Sequence, residues 1–245
     1  MIKPLPTRIV KVLRLSCGKP VGRLLDIGCG SGEFSVLLKK AFKAKELFGV
    51  ELSPEGQALA TEKGIQVSRL DLNKEPLPYP DNFFGMVFAG EILEHLIIPD
   101  DLLDEIFRVL APGGHLILTL PNISSWHCRV QLLLGYQPYA IPVSMRYRWV
   151  GAFLATQRYK GARVKEHAYV NSYDGLDHVQ FFANRGACDL VKVHEFNIVE
   201  VIGTSTDEFT IVLPPVARTI VKWIDGICTH IPSLASGVII HATKP

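Results

Sequence analysis

The run Asp26-Ile27-Gly28-Cys29-Gly30-Ser31-Gly32 constrains this chain more than any other feature. It follows an apolar stretch, residues 21–27, with the pattern of a buried strand. It precedes residues 33–42, which read as a helix. Glycines at a strand-to-helix junction let the backbone turn tightly and come close to a ligand. The helix behind them points free N–H groups and the positive end of its dipole at that ligand, favouring a carboxylate or a phosphate.

The rest of the chain continues the alternation. Residues 7–16 read as a short amphipathic helix, and Leu47 to Glu51 as a second strand. Pro54 suits the first turn of a helix capped by Ser53 and ending near Gly64. Strands are expected over 65–69 and 83–88. A strongly periodic helix spans Asp100 to Leu110, stopped by Pro112-Gly113-Gly114 before a strand from His115 to Leu120. The regularity fails between Ile123 and Asp177; a helix then spans Phe181 to His194. Two more strands follow, Asn197 to Ile202 and Gly237 to Ala242. This order predicts an α/β fold: a Rossmann-like, doubly wound, mainly parallel seven-stranded sheet with an insertion after strand five. Residues 1–245 form a single domain in this reading, with 123–178 as a lid over the acceptor and 212–235 as a helical excursion before the last strand. Val216, Ile220, Trp223, Ile224, Ile227 and Ile231 recur at helical spacing, as expected of a core face or a homodimer face. Arg218 and Lys222 beside Trp223 would also suit a membrane surface.

Composition excludes several classes. The chain has 245 residues, 48% of them hydrophobic, and a formal charge of +2. It can bury a full core, and nucleic acid is not an expected partner. Five scattered cysteines show no metal spacing and no disulfide framework, which points to reduced thiols in the cytoplasm and to no metal site. The N-terminal apolar residues are broken by Arg8, Lys11 and Arg14, unlike a signal peptide. No stretch reaches the roughly 20 apolar residues of a membrane span.

Nicotinamide and flavin enzymes also use a glycine loop here. Three features separate the readings. The spacing is GxGxG, not GxGxxG. Asp26 precedes the first glycine, where it would repel a pyrophosphate but suits an ammonium. Glu51 ends the next strand, where it can accept hydrogen bonds from ribose hydroxyls. S-adenosylmethionine (SAM), with its ammonium, carboxylate, ribose and sulfonium, fits this set better than a dinucleotide.

LLDIGCGSG, GVELSP, LDLN, FAGEILEHL and LAPGGHLILTLPN follow in order over residues 20–122. Together they resemble the motifs of class I SAM-dependent methyltransferases, nearest to small-molecule enzymes of the ubiquinone-biosynthesis O-methyltransferase type. The later DHVQFFANRGACDLV resembles the segment after the insertion in relatives that modify surface polysaccharides and lipids, with Gln180 in place of a basic residue. The resemblance implies that Asp26, Gly28, Gly30 and Gly32 hold the methionine end of SAM, with Cys29 as a small side chain in the same loop. It implies that Glu51 binds the ribose and Leu52 packs on the adenine. Asp71 would accept from the adenine amino group, and Leu72 would lie beside the ring. Gly90 and Glu91 would line the methionine side, with His95 facing the cofactor or acceptor. The product would be S-adenosylhomocysteine.

Methyl transfer from a sulfonium is an in-line displacement with an excellent leaving group, so the protein mainly aligns and desolvates the reactants. A hydroxyl acceptor would also need a base, for which His95, His127, His167 and His178 are available. His178 opens the segment returning from the insertion, so it and His95 are the catalytic candidates. Residues 144–166 carry six basic side chains against one acid, with aromatics interleaved. Arg146 and Arg148 are therefore candidates to grip an anionic sugar- or lipid-linked acceptor; a solvated helical lid would show the same composition. Ala89-Gly90-Glu91-Ile92 differs from the Asn/Asp-Pro-Pro-aromatic motif of amino-methylating enzymes. A non-catalytic SAM-fold binding protein and a nicotinamide-dependent oxidoreductase are the competing readings.

Overall fold

The computed structural model describes residues 5–15, 19–138, 141, 151, 178–205 and 215–245. The strands are β1 (Arg23–Ile27), β2 (Glu46–Glu51), β3 (Gln66–Arg69), β4 (Phe84–Gly90), β5 (Leu110–Pro121), β6 (Asn197–Thr204) and β7 (Gly237–Thr243). They form one seven-stranded sheet in the order β3-β2-β1-β4-β5-β7-β6. The first five are parallel, while β7 runs antiparallel to both β5 and β6. The mainly parallel α/β sheet expected from the alternation is the observed one.

The helices are α1 (Thr7–Val12), α2 (Glu33–Ala41), α3 (Pro54–Glu62), α4 (Pro99–Val109), α5 (Trp126–Leu133), α6 (Asn184–Val193) and α7 (Pro215–Cys228). Successive side chains of a strand point to opposite faces, so a sheet covered on both sides needs apolar residues at nearly every position. Leu25 and Ile27 join one core with Val87, Leu116, Ile240, Ile106 and Val191. Leu24 points the other way, into a second core with Met86, Ile117, Ile239, Val12, Leu38 and Ala60. In α4, Leu102, Leu103, Ile106 and Val109 make the buried stripe, and Asp100 and Asp101 stand in the first turn, where the helix dipole favours acids. Ser53 caps α3 by accepting the Gly56 N–H.

Two expectations are corrected. The strand placed from His115 begins at Leu110, directly after α4. Phe84 pairs with Leu110 and Met86 with His115, so Ala111 to Gly114 loop out within the strand instead of separating it from the helix. Gly113 adopts φ +72, and a Cβ on Gly114 would lie 2.7 Å from the Ala111 carbonyl. The second correction concerns the apolar stripe of α7. It is not a core face: Val216, Ile220, Trp223 and Ile227 are exposed among the described residues, Trp223 to 68%. The helix packs instead through Asp225, whose Oδ1 accepts from Ser236 Oγ at 2.5 Å and from Trp126 Nε1 at 3.1 Å. Among the described residues, no helix is long and apolar enough to cross a membrane.

Candidate functional site

From β1 the chain crosses to β2 on one side, while β4 joins on the other. This is the switch point of the sheet, where the carboxyl ends of neighbouring strands open a crevice. The glycine loop leaves β1 there. Gly28, Gly30 and Gly32 all have left-handed φ, +75, +55 and +78. A Cβ on Gly32 would stand 3.1 Å from the Ala60 backbone and 2.4 Å from Ile65, so the loop rests directly on α3. Gly32 also begins α2, whose first N–H groups have no acceptor within the helix.

Glu51 ties loop and strand together. Its Oε2 accepts the Gly30 N–H at 2.9 Å, and its Oε1 accepts the Ser53 N–H at 2.8 Å. The Gly28 and Cys29 N–H groups donate to the Val50 carbonyl. Leu52 projects at 46% exposure beside this carboxylate, as an apolar platform for a flat ring would. Cys29 is buried, and a Cβ on Gly49 would lie 2.6 Å from its sulfur. Burial, with Asp26 and Glu51 nearby, pushes its thiol up to about 12, so it is no nucleophile at neutral pH.

Asp26 is enclosed, at 3% exposure, and its Oδ2 accepts from Ser35 Oγ at 2.5 Å. Burial raises its pKa to about 7, against the opposing hydrogen bond from Ser35 and with a further upward push from Glu51. Asp71, just past β3, forms an ion pair with Lys74 at 2.7 Å and accepts the Asn73 N–H at 3.1 Å. The Lys74 partner holds its carboxyl below the usual range. Leu72 packs against the first core. Asn73 Oδ1 accepts the Ile97 N–H at 2.9 Å, linking this loop to the segment after β4.

That segment forms the other wall. Gly90 ends β4, where a Cβ would strike the Phe88 ring at 2.5 Å. Glu91 adopts φ +55, uncommon for a residue with a side chain. Its N–H donates to the Thr119 carbonyl at 2.9 Å, and its Oε1 accepts from Thr119 Oγ1 at 3.0 Å and lies 2.7 Å from Arg8 of α1. Leu93–His95 form one 3-10 turn. His178, distant in sequence, comes to stand over this turn, its ring centroid 5.0 Å from that of His95. The two catalytic candidates are thus neighbours. Sequence reading missed Glu94, which is 1% exposed and groups with both histidines. Its only signal was its place between Leu93 and His95. His127, also weighed as a base, is buried elsewhere and contacts Ser125 and Ser236; burial lowers its pKa to about 4. Arg146, Arg148, His167 and most of the expected lid over 123–178 lie outside the described residues.

Residues 25–118 match the methyltransferase domain family. A demethylmenaquinone methyltransferase from Thermus thermophilus is 30% identical over 112 residues, covering 44% of this chain and 51% of that protein. The match therefore spans about half of that relative's length. The ubiquinone/menaquinone biosynthesis C-methyltransferase UbiE of Burkholderia mallei is 26% identical over 191 residues, 72% of this chain and 75% of that one. A SAM-dependent methyltransferase from Mesorhizobium loti shares the fold, with a TM-score of 0.57, 19% identity and 96% of each chain covered. Over residues 25–118 the chain is thus similar to the methyltransferase domain, and its fold is the one that SAM-dependent methyltransferases share.

Proposed function

We propose that this chain transfers the methyl group of SAM to a small-molecule acceptor held over the carboxyl ends of β1 and β4. One observation carries the reading: the Glu51 carboxylate grips the Gly30 N–H of a loop whose three glycines are all left-handed, within the matched domain. In this reading the first N–H groups of α2 receive the carboxylate of SAM. Glu51 keeps lone pairs for the ribose hydroxyls, and Leu52 packs on the adenine. Asp26, Gly90 and Glu91 border the methionine end, while Asp71 and Leu72 border the base. The acceptor atom attacks the methyl carbon as the carbon–sulfur bond breaks; the electron pair goes to sulfur and leaves neutral S-adenosylhomocysteine. The chain's task is alignment and exclusion of water. His178 and His95 stand where they can touch the acceptor.

For the acceptor, two classes are first to screen. The relatives' names point to quinone precursors. The basic, aromatic stretch around Arg146 and Arg148 points to an anionic sugar- or lipid-linked molecule. Replacing both arginines without loss of affinity for any acceptor found would remove the second class. We also place the chain in the cytoplasm, on its free thiols at Cys29, Cys128, Cys188 and Cys228. A homodimer through the exposed face of α7 is part of the same reading; sedimentation showing only monomer would remove it.

Calorimetric titration with S-adenosylhomocysteine, beside NAD and a Glu51→Ala control, tests the function. Micromolar binding of the first ligand alone, weakened in the control, supports it. No binding to folded protein favours a non-catalytic SAM-fold protein, and NAD binding overturns the reading.

A further inference from the structure

We propose that Glu94, His95 and His178 form a binding site for a divalent transition-metal ion of the zinc class, at the rim of the crevice beside the glycine loop. Each of the three offers one ligand atom, and these atoms all lie within 4.8 Å of one another. Two imidazoles and a carboxylate are the donor set that borderline metals prefer, and three protein ligands leave a fourth position open for water or substrate. A tetrahedral zinc site places its ligand atoms roughly 3.4 Å apart. The widest separation therefore has to close by about 1.4 Å, within reach of side-chain rotation.

The backbone brings these donors together by itself. The Val179 and Gln180 N–H groups both donate to the Glu94 carbonyl, at 2.8 and 3.0 Å. Gln180 Nε2 donates to the Ile97 carbonyl at 3.0 Å. The returning segment is thus fastened along residues 94–97, and this clamp sets the His178 ring edge-on to His95, the planes 68° apart. Gln180, which departs from the basic residue of the resembling family, is one of the fasteners. A cationic side chain there would repel a metal ion nearby; the neutral amide does not.

Burial adds a second reason. Glu94 is 1% exposed, so its carboxylate is held in place by packing, as a preorganised ligand must be. Pro121, Ile123 and Phe182 pack around it beside His178. A metal ion here would bring a bound water toward neutral pKa. Metal binding does not require the methyl-transfer reading to be right.

The test uses the full chain without an affinity tag, stripped with chelator and titrated with cobalt(II), with zinc content measured in parallel. The expected result is one metal per chain, visible d–d absorption of low-symmetry cobalt, and a melting temperature that rises with added zinc. His178→Ala and Glu94→Gln should each weaken cobalt binding at least tenfold. If Glu94→Gln does not fold by circular dichroism, His178→Ala decides alone. Substoichiometric binding to the wild-type chain, or equal affinity in His178→Ala, overturns the proposal and leaves two packed histidines beside a buried acid. A chain that binds S-adenosylhomocysteine but no cobalt sinks this inference only. One that binds cobalt but not S-adenosylhomocysteine sinks the methyl-transfer reading only.

Discussion

Arg8, on the N-terminal helix, sets its Nη1 2.7 Å from Oε1 of Glu91, the acid that follows β4. Lys11 of the same helix donates to the Gly203 carbonyl at 2.7 Å, and Val12 is fully buried. The helix α1 is therefore fastened across the crevice wall by one charged contact at its outer end and by packing at its inner end. Both partners of the Arg8–Glu91 pair are about one-third exposed. Such pairs contribute about 0–1 kcal/mol. Arg8→Ala should change the melting temperature by no more than about 3 °C. On the proposal that α1 covers the bound ligand, the same variant should speed release of S-adenosylhomocysteine several-fold. Stopped-flow dissociation measures this, and an unchanged rate would show that α1 does not cover the ligand.

Gly32→Ala puts a side chain on a residue with φ +78 that abuts the Ala60 backbone. The left-handed conformation alone costs about 1–2 kcal/mol. The melting temperature should fall by about 3–8 °C. Ligand affinity should fall too, because any shift that relieves the clash moves the first turn of α2. A stable variant with intact affinity would show that the loop tolerates a Cβ there.

Asp26 and His127 give opposite pH slopes. Burial raises the Asp26 pKa to about 7 in the folded chain, against an ordinary carboxyl value of 3.8. The folded state then binds more protons between these values, so its contribution to stability falls as pH rises through that window. Burial lowers the His127 pKa to about 4 in the folded chain, against an ordinary imidazole value of 6.5. There the unfolded state binds more protons, so stability is lost as pH falls below about 6.5. Asp26→Asn removes the first slope alone. Relative to wild type, the variant should gain stability steadily from pH 4 to pH 7 in denaturant titrations. A flat difference would mean that the Asp26 carboxyl is not shifted.

Asp225 accepts from both Ser236 and Trp126, and Asp225→Ala would leave two donors without that acceptor. Each such loss costs about 1–3 kcal/mol. Calorimetry should show a melting temperature lower by roughly 5–15 °C. Asp225→Asn, which keeps one carbonyl oxygen, should recover part of the loss. Equal melting temperatures for the two variants would assign the stability to something other than these bonds.

The parts of the molecule that were legible in sequence are those whose physics is local. The glycine run, the apolar strands and the Ser53 cap each announce themselves within a few residues. The looped-out stretch at the start of β5 was not legible, because Pro112-Gly113-Gly114 has the composition of a terminator. Its true setting depends on Phe84 and on Lys244, whose carbonyl accepts the Gly113 N–H. The exposure of the α7 stripe was hidden for a similar reason. Helical spacing shows that apolar residues share a face, but the inward direction is set by Asp225 and its partners on other elements. Glu94 reads in sequence as an ordinary helical acid. Among the described residues, the return of residues 178–180 onto its carbonyl packs against it.

The position of β7 has a consequence for how this protein is born. It lies between β5 and β6 and pairs with both along their lengths, yet it is made after the other six strands of this sheet. On the ribosome the parallel half of the sheet, with the glycine loop already in place, must wait with the edge of β5 bare. That interval is when the nascent chain is most open to adding a foreign strand. A chaperone that shields extended apolar edges would matter most in the moments before residue 237 emerges.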